Sequence, residues 1–241
     1  MAGTGVLVVH GFTGSPGTMA PITEGFRAAG FEVSTPTLPG HGTTVEDMVD
    51  TRWADWSAAA EAAYRELASR CDRVVVAGLS MGGTLTCWLA AHHPEIVGIV
   101  CINPLILPRD PAEIAFIDEM IAVGDVLTDP VGADIAKPGV VEPAYDRTPL
   151  APLRSLLTAV HDMQDDLPRI RQPLLLLTSV EDHVVEPINS DHLAGLVAGP
   201  VERVSLERSF HVATLDHDSE LIVERAVAFV RGVEGAGPPD Q

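Results

Sequence analysis

A serine flanked by two glycines is the strongest chemical signal in the sequence. The five residues Gly78-Leu79-Ser80-Met81-Gly82 lie between a β-branched apolar run and an apolar helical segment. On a strand-to-helix turn of this kind the serine hydroxyl is exposed on a strained backbone, and larger side chains at the glycines would collide with neighbouring elements. The following helix directs its N–H groups toward developing negative charge. The pattern therefore predicts Ser80 as the nucleophile of an acyl-transfer reaction.

A serine nucleophile needs a general base and an acid that orients the base. After such a turn the partners are expected in the order acid and then histidine, each in a loop after a late strand. Asp182 follows an apolar run that ends at residue 178, and His211 follows one that ends at residue 206. Glu181 and Glu186 are alternative acids, but Asp182 lies in the expected turn. The sequence thus predicts Ser80, Asp182 and His211 as a catalytic set.

The remaining histidines are weaker candidates for the base. Most fall beside helices or in loops without a preceding strand, namely His92, His93, His161, His183, His192 and His217. His10 and His41 lie in glycine-flanked turns, where packing and a backbone hydrogen bond are the expected roles. For His217, near the final helix, we expect a surface or capping role.

Acyl transfer also needs hydrogen-bond donors for the oxyanion of the tetrahedral intermediate. One expected donor is the backbone N–H of Met81, the residue after the nucleophile. The other is expected in the loop after the first strand, where the N–H of Phe12 is the best placed. Because only their backbones are needed, we also expect both side chains to line an acyl pocket.

Strands and helices alternate in the order that would bring these loops together. Short apolar runs predict strands over 5–11, 31–35, 73–77, 96–102, 172–178 and 201–206. Helical periodicity predicts helices over 21–29, 53–70, 219–230 and from the serine turn to residue 92. Strands that are apolar throughout favour an α/β fold with a mostly parallel sheet covered by helices on both faces.

One long stretch interrupts this alternation. Residues 103–169 carry nine prolines and no clear strand, and an insertion of this length is usually functional, most often as a lid. We predict a core of residues 1–102 and 170–233, a lid (residues 103–169) and a flexible tail over 234–241. Apolar residues at helical spacing, either lid core or a face for an acyl chain or a lipid surface, are Ile114, Phe116, Ile117, Met120 and Ile121.

The composition disfavours some classes of binding partner and indicates a cellular compartment. Fifteen basic against 34 acidic residues give a net charge of −19, which disfavours nucleic acid and firm attachment to anionic lipid. The odd set Cys71, Cys87 and Cys101 matches no zinc or redox spacing, so we expect buried thiols in a reducing compartment. No run approaches the length of a membrane span, and the N-terminus lacks the basic region of a secretion signal. We therefore expect a cytoplasmic protein.

Five motifs, in order and spread over most of the chain, carry a resemblance to a known family. They are His10-Gly11-Phe12-Thr13-Gly14-Ser15, Gly40-His41-Gly42-Thr43, Gly78-Leu79-Ser80-Met81-Gly82-Gly83-Thr84, Glu181-Asp182-His183-Val184-Val185 and His211-Val212-Ala213-Thr214-Leu215-Asp216. Together they resemble the bacterial monoacylglycerol lipases of the α/β-hydrolases, which are close kin of small bacterial carboxylesterases. The resemblance implies the α/β-hydrolase fold, no cofactor, and cleavage of monoacylglycerol to fatty acid and glycerol.

The resemblance also assigns two positions in the predicted lid. Glu142, in Val141-Glu142-Pro143-Ala144-Tyr145, corresponds to the family's glycerol-binding glutamate, with a solvated carboxylate as the alternative. Val131 corresponds to an isoleucine that narrows the pocket in relatives. Relatives also carry further residues before the His-Gly loop, which begins here at residue 10; we expect that difference to affect stability more than chemistry.

Two other interpretations remain open at this point. One is a carboxylesterase for a different short- or medium-chain acyl ester, and the other is a non-catalytic ligand-binding member of the fold. The complete set of serine, acid and histidine argues against the second. The expected partner is a small acyl ester with at most transient lid contact to a membrane, and the protein is expected to be a monomer or homodimer.

Overall fold

The computed structural model describes residues 3–131 and 134–235. Its strands are β1 (Thr4–Val9), β2 (Glu32–Ser34), β3 (Arg73–Leu79), β4 (Gly98–Ile102), β5 (Leu127–Thr128), β6 (Thr148–Pro149), β7 (Leu174–Ser179) and β8 (Val201–Leu206). Its α-helices are α1 (Ala20–Ala28), α2 (Val45–Val49), α3 (Trp53–Ala68), α4 (Met81–His92), α5 (Pro111–Ala122), α6 (Leu150–Asp162), α7 (Ile188–Leu196) and α8 (Ser219–Gly235). Short 3₁₀ turns cover Pro16–Met19, Met163–Arg169 and Ala213–Leu215.

Six strands form one parallel sheet in the order β2-β1-β3-β4-β7-β8. All their carboxyl ends therefore meet at the same edge, and the loops after β1, β3, β7 and β8 carry the predicted site residues. In open α/β sheets ligands bind at this edge. The predicted α/β class with a mostly parallel central sheet is confirmed.

Alternating side chains of the central strands pack into two separate core layers. In β1, Leu7 and Val9 pack with α3 and α4 on one face, while Val6 and Val8 pack with α1 and α8 on the other. Successive residues of a strand point to opposite faces, so a strand buried on both sides must be apolar throughout. This is why these strands appear as unbroken apolar runs.

The C-terminal part of the predicted lid differs from expectation. Helix α6 was not predicted, yet its Leu156 and Val160 are buried in the same cluster as α3 and α4. Prolines obscured it, but Pro152 lies in the first turn, where a missing backbone N–H costs no helical hydrogen bond. Residues 150–169 therefore pack as part of the core layer.

The remainder of that stretch, which we call the outer segment (residues 107–147), is more exposed. The helix expected around Ile114 and Ile117 is present as α5. The two-residue strands β5 and β6 pair antiparallel and bracket the loop that carries Val131 and Glu142. No described residue of the outer segment is buried.

The other differences are at the ends of elements. Helix α8 continues to Gly235, past the start of the predicted tail at residue 234; residues 236–241 lie outside the described ones. Helix α1 ends at Ala28, two residues before the predicted stop at Gly30, which has a φ of +93°. In the part of the chain that the structure describes, no helix has the length and apolar character needed to cross a membrane.

Candidate active site

Ser80 occupies a strained turn between β3 and α4. Its backbone has φ 56° and ψ −118°, a conformation that is costly for a residue with a side chain. The Ser80 N–H donates to the Ile102 carbonyl at 3.0 Å, and the Ser80 carbonyl accepts from the Thr84 N–H at 3.1 Å. The turn is thus held by β4 on one side and by α4 on the other.

The two flanking glycines are required by close backbone contacts. A Cβ added at Gly78 would lie 2.1 Å from the Gly82 carbonyl oxygen, and one added at Gly82 would lie 2.2 Å from the Val9 carbonyl oxygen. Both distances are far below van der Waals contact. The tight approach lets α4 start directly over the ends of β1 and β3.

His211 and Asp182 are in direct contact. His211 Nδ1 lies 2.7 Å from Asp182 Oδ2, and both side chains are almost fully buried. The other carboxylate oxygen, Oδ1, accepts the N–H groups of Val184 at 2.9 Å and Val185 at 2.7 Å. With Nδ1–H donating to Asp182, Nε2 is left as the basic nitrogen. Of the three candidate acids, Asp182 is the one in contact with His211, while Glu181 and Glu186 are exposed.

Asn103 connects the His211 loop to the edge of the sheet, a role that the sequence analysis missed. Its Nδ2 donates to the His211 carbonyl at 2.8 Å and to Ser179 Oγ at 2.9 Å, while its Oδ1 accepts the Ser179 N–H at 2.8 Å. It is buried with a φ of 43° and follows Ile102, the residue that accepts the Ser80 N–H. One short path of hydrogen bonds therefore joins the loops of Ser80 and His211. An asparagine directly after an apolar strand was the available signal.

The Ser80 hydroxyl makes no hydrogen bond to His211 within the described residues. Contacts between a nucleophile and its base are often long in the free enzyme and shorten when substrate binds. The arrangement has the components of nucleophilic acyl transfer: a partly exposed serine on a strained turn, and an imidazole oriented by a buried carboxylate.

The loop after β1 carries Phe12, one of the two predicted oxyanion donors. Thr13 has a φ of 59°, and the Gly14 N–H donates to the Gly11 carbonyl at 3.3 Å. The Tyr145 N–H donates to the Thr13 carbonyl at 3.1 Å, and the Tyr145 hydroxyl donates to the Gly40 carbonyl at 2.7 Å. The outer segment thus braces the loop that carries Phe12.

An apolar cavity of about 270 Å³ opens beside Ser80. Phe12 and Val131 line it, together with Ile117 of α5 and Leu156 of α6. The expectation for the Met81 side chain is wrong: it is fully buried in the core and is not among the lining residues. A more open groove of about 400 Å³ lies elsewhere, at Trp53, Trp88 and His92.

Glu142 lies next to the predicted site. Thr18 Oγ1 donates to its Oε1 at 3.4 Å, and the same oxygen is 3.4 Å from a Cβ position at Gly14. Burial raises the pKa of Glu142 to about 6, against the opposing effects of nearby His211 and the Thr18 hydroxyl. The carboxyl group therefore changes charge within the working range of most enzymes.

His10 and His41 have structural surroundings, as expected. His10 Nε2 accepts the Leu38 N–H at 3.2 Å, and the two rings are 4.9 Å apart. Burial lowers the pKa of His10 to about 3 and that of His41 to about 4. Both rings are neutral at physiological pH and brace the loops that follow β1 and β2.

Comparisons with known proteins agree with this geometry. Residues 6–231 match the family model described as "Alpha/beta hydrolase family". The chain is 44% identical over 229 residues to a thermostable monoacylglycerol lipase from Bacillus sp. (strain H-257), covering 93% of this chain and 89% of that protein. It is 23% identical to a carboxylesterase from Bacillus subtilis (strain 168) over 95% of this chain and 93% of that one.

A similar solved structure comes from a study of two metagenome-derived lipolytic enzymes, LipS and LipT. It superposes with a TM-score of 0.91 at 42% identity, covering 96% of this chain and 94% of that chain. The sheet, the strained serine turn, the match along most of the chain and the expected resemblance therefore agree: the chain belongs to the alpha/beta hydrolase family.

Proposed function

We propose that the protein hydrolyses monoacylglycerols through an acyl-enzyme intermediate on Ser80. The observation that carries the proposal is the buried 2.7 Å contact between His211 Nδ1 and Asp182 Oδ2, which lies at the same sheet edge as the strained Ser80 turn. The 44% identity to a monoacylglycerol lipase over 93% of the chain supports the substrate class.

In the first step the Ser80 Oγ–H proton passes to His211 Nε2 as Oγ bonds to the ester carbonyl carbon. The carbonyl oxygen becomes an oxyanion that accepts hydrogen bonds from the N–H groups of Phe12 and Met81. The ester C–O bond then breaks, and His211 returns its proton to the departing glycerol oxygen. Asp182 stays ionised and stabilises the imidazolium. Water then attacks the acyl carbon as His211 Nε2 takes its proton; the bond between the acyl carbon and Ser80 Oγ breaks, His211 returns the proton to Oγ, and the fatty acid leaves.

The apolar cavity beside Ser80 is the proposed acyl site. Its lining residues present few polar atoms to an acyl chain. Val131 lies at the exposed margin of the cavity, with 42% of its surface accessible. A valine there leaves more room than the isoleucine expected from the family resemblance. We expect this position to affect acyl-chain preference rather than the chemistry.

Glu142 is the proposed ligand for the glycerol hydroxyl groups. It extends from the outer segment toward Thr18 and Gly14, and its proximity to His211 suits a group that binds the leaving alcohol. A partly buried carboxylate disfavours an ester whose alcohol lacks hydroxyl groups, because its remaining acceptor positions are then left unfilled in the complex.

The outer segment is the movable part of the proposed lid, and it supplies the only lipid contact that we propose. Phe116 is 63% and Val123 is 80% exposed on it. Exposed apolar side chains suit brief contact with a lipid surface, while the net charge of −19 opposes lasting attachment to an anionic membrane.

A cytoplasmic location remains part of the proposal. Cys71, Cys87 and Cys101 are buried and free, and the sulfur atoms of Cys87 and Cys101 are 3.7 Å apart. Unoxidised thiols at this distance suit a reducing compartment. The expectation of a monomer or homodimer also stays a prediction.

A substrate comparison tests this function. The purified protein is assayed on a monoacylglycerol and on the methyl and p-nitrophenyl esters of the same fatty acid, and over monoacylglycerols of graded length with di- and triacylglycerol as controls. We expect the highest kcat/KM for the monoacylglycerol and complete loss in Ser80→Ala. Equal kcat/KM for the methyl ester would instead indicate a general carboxylesterase.

A further inference from the structure

Asp134, in the outer segment, contacts both loops that carry the proposed base and acid. Its Oδ2 accepts the backbone N–H of His211 at 3.0 Å and that of His183 at 3.1 Å. Its own carbonyl oxygen accepts the N–H of Val212 at 3.0 Å. His183 directly follows Asp182 in the chain. A single carboxylate therefore joins the His211 loop to the Asp182 loop.

The second oxygen of Asp134 adds a side-chain contact. Its Oδ1 lies 2.9 Å from His183 Nδ1, and the His183 ring packs edge-on against Phe210, with centroids 4.6 Å apart. The Asp134 side chain is only 14% exposed. Burial alone would raise the pKa of Asp134, but hydrogen bonds from His183 and the His211 backbone lower it below its ordinary value. The group is therefore an anion that accepts from both loops at neutral pH.

We infer that Asp134 is a positioning residue for catalysis, which fixes the His211 backbone relative to the loop of Asp182. The inference rests on the proposed function. His211 must keep Nδ1 on Asp182 while Nε2 faces Ser80, so a small shift of its backbone moves both contacts. Misplacement of a reacting group by about 1 Å can cost a factor of about 100 in rate.

The local fold has a second anchor that does not touch His211. Asp216 accepts the N–H groups of Ala136 at 2.7 Å, Lys137 at 2.9 Å and Phe210 at 2.9 Å. These bonds hold the outer segment against the loop before His211 when Asp134 is changed. We therefore expect Asp134 variants to fold with a normal overall structure but a less well-defined imidazole position.

The test measures turnover per reactive site. Active sites of wild type, Asp134→Ala, Asp134→Asn and the exposed control Asp129→Ala are titrated with a fluorophosphonate, and kcat and KM are measured on a p-nitrophenyl ester. Asp134→Ala should lower kcat per titrated site by about 10- to 100-fold with little change in KM. Asparagine keeps an oxygen acceptor for the two backbone N–H groups, so Asp134→Asn should recover kcat to within about threefold of wild type.

Three results would overturn the inference. A merely structural role would reduce the titrated fraction and leave kcat per site unchanged in Asp134→Ala. An equal loss of kcat per site in Asp129→Ala would show that the effect comes from the net charge of the outer segment. An equal loss in Asp134→Asn would show that accepting the two N–H groups is not what supports kcat.

Replacing His183, which is exposed, gives a second test without risk to folding. His183→Ala should lower kcat less than Asp134→Ala, and His183→Asn should restore it, because an asparagine N–H can replace Nδ1–H. No reaction of wild type with the probe would refute the proposed function itself. Normal reaction with unchanged kcat in both Asp134→Ala and His183→Ala would refute only the positioning role.

Discussion

From Val74 to Cys87 every residue is buried except Ser80, whereas no described residue of the outer segment is buried. Around Ser80 the shape is set by backbone atoms in close approach, as at Gly78 and Gly82. In the outer segment it is set by separate side-chain contacts to loops, such as those of Asp134 and Tyr145. The proposed chemistry thus depends on this buried stretch around Ser80, which we call the buried framework (residues 74–87), and its close contacts tolerate little change. The proposed recognition depends on contacts that can be altered one at a time.

The largest expected effect is on catalysis, at the proposed acid Asp182, which lies in the loop after β7. Asp182→Asn should lower kcat by roughly 10⁴-fold, because an amide that donates to His211 Nδ1 holds the imidazole in the wrong tautomer. Steady-state kinetics on a soluble ester measures it, with Glu181→Gln as the exposed neighbouring control. Loss in Glu181→Gln with activity kept in Asp182→Asn would reverse the assignment of the acid.

A smaller effect, on stability, is expected for the glycine nearest β1. In Gly82→Ala the new methyl group would lie 2.2 Å from the Val9 carbonyl oxygen and 2.8 Å from the His10 carbonyl oxygen. Overpacking of this kind should cost about 3 kcal/mol, or a fall in Tm of roughly 10 °C for a chain of this size. Thermal unfolding measures it.

The matched control for that substitution is Gly195→Ala in α7, where nothing lies within 4 Å of the new Cβ. This variant should gain about 0.5–1 kcal/mol, since alanine is favoured over glycine inside a helix. If both variants unfolded at the wild-type temperature, the framework would not be as intolerant as the close contacts indicate.

The next effect is on substrate preference, and we expect it at Glu142, which reaches from the outer segment toward Thr18 and Gly14. Glu142→Gln should reduce the ratio of kcat/KM for monoacylglycerol to that for the methyl ester by about 10- to 100-fold, through loss of hydrogen bonds to a charged acceptor. In wild type this ratio should rise as the pH increases through about 6, where Glu142 ionises, and in the variant it should not. A flat wild-type ratio between pH 5 and 8 would remove Glu142 from alcohol recognition.

The same ionisation has a consequence for folding stability with a defined sign. A carboxyl group whose folded-state pKa is raised destabilises the fold as pH rises from its ordinary value of 4.5 through about 6. Glu142→Gln should therefore be more stable than wild type at pH 8, and the difference should shrink toward pH 4.5. Urea unfolding at several pH values measures it, and a difference that is constant with pH would contradict the raised pKa.

The smallest expected effect is on the outer face. Phe116→Ser should leave hydrolysis of a soluble ester unchanged and lower hydrolysis of vesicle-borne monoacylglycerol a few-fold, since one exposed aromatic contributes little apolar burial. Val180→Ser, at another exposed apolar position, is the control. Equal effects of the two variants on both substrates would leave the outer segment without a special role at a lipid surface.

The buried framework was largely predictable from the sequence, because strands covered on both faces must be apolar and the reactive residues follow their carboxyl ends. The glycine-flanked turn predicts Ser80, and the places after late strands predict Asp182 and His211. Position alone favoured Asp182 over Glu181 and Glu186, and Asp182 is the acid in contact with His211. The contacts that join the loops could not, because Asn103 and Asp134 act on residues about 50 to 110 positions away along the chain, and single-sequence patterns report only neighbours. Prolines hid α6, and Met81 was misjudged because its backbone role does not determine where its side chain packs.

The proposed hydrolysis requires that the His211–Asp182 pair activates Ser80, and fluorophosphonate labelling followed by peptide mass spectrometry tests this directly. We predict one modified peptide carrying Ser80, no labelling in Ser80→Ala, and labelling slowed by at least roughly 10³-fold in His211→Gln. Labelling at another residue, or an unchanged rate in folded His211→Gln, would contradict the account.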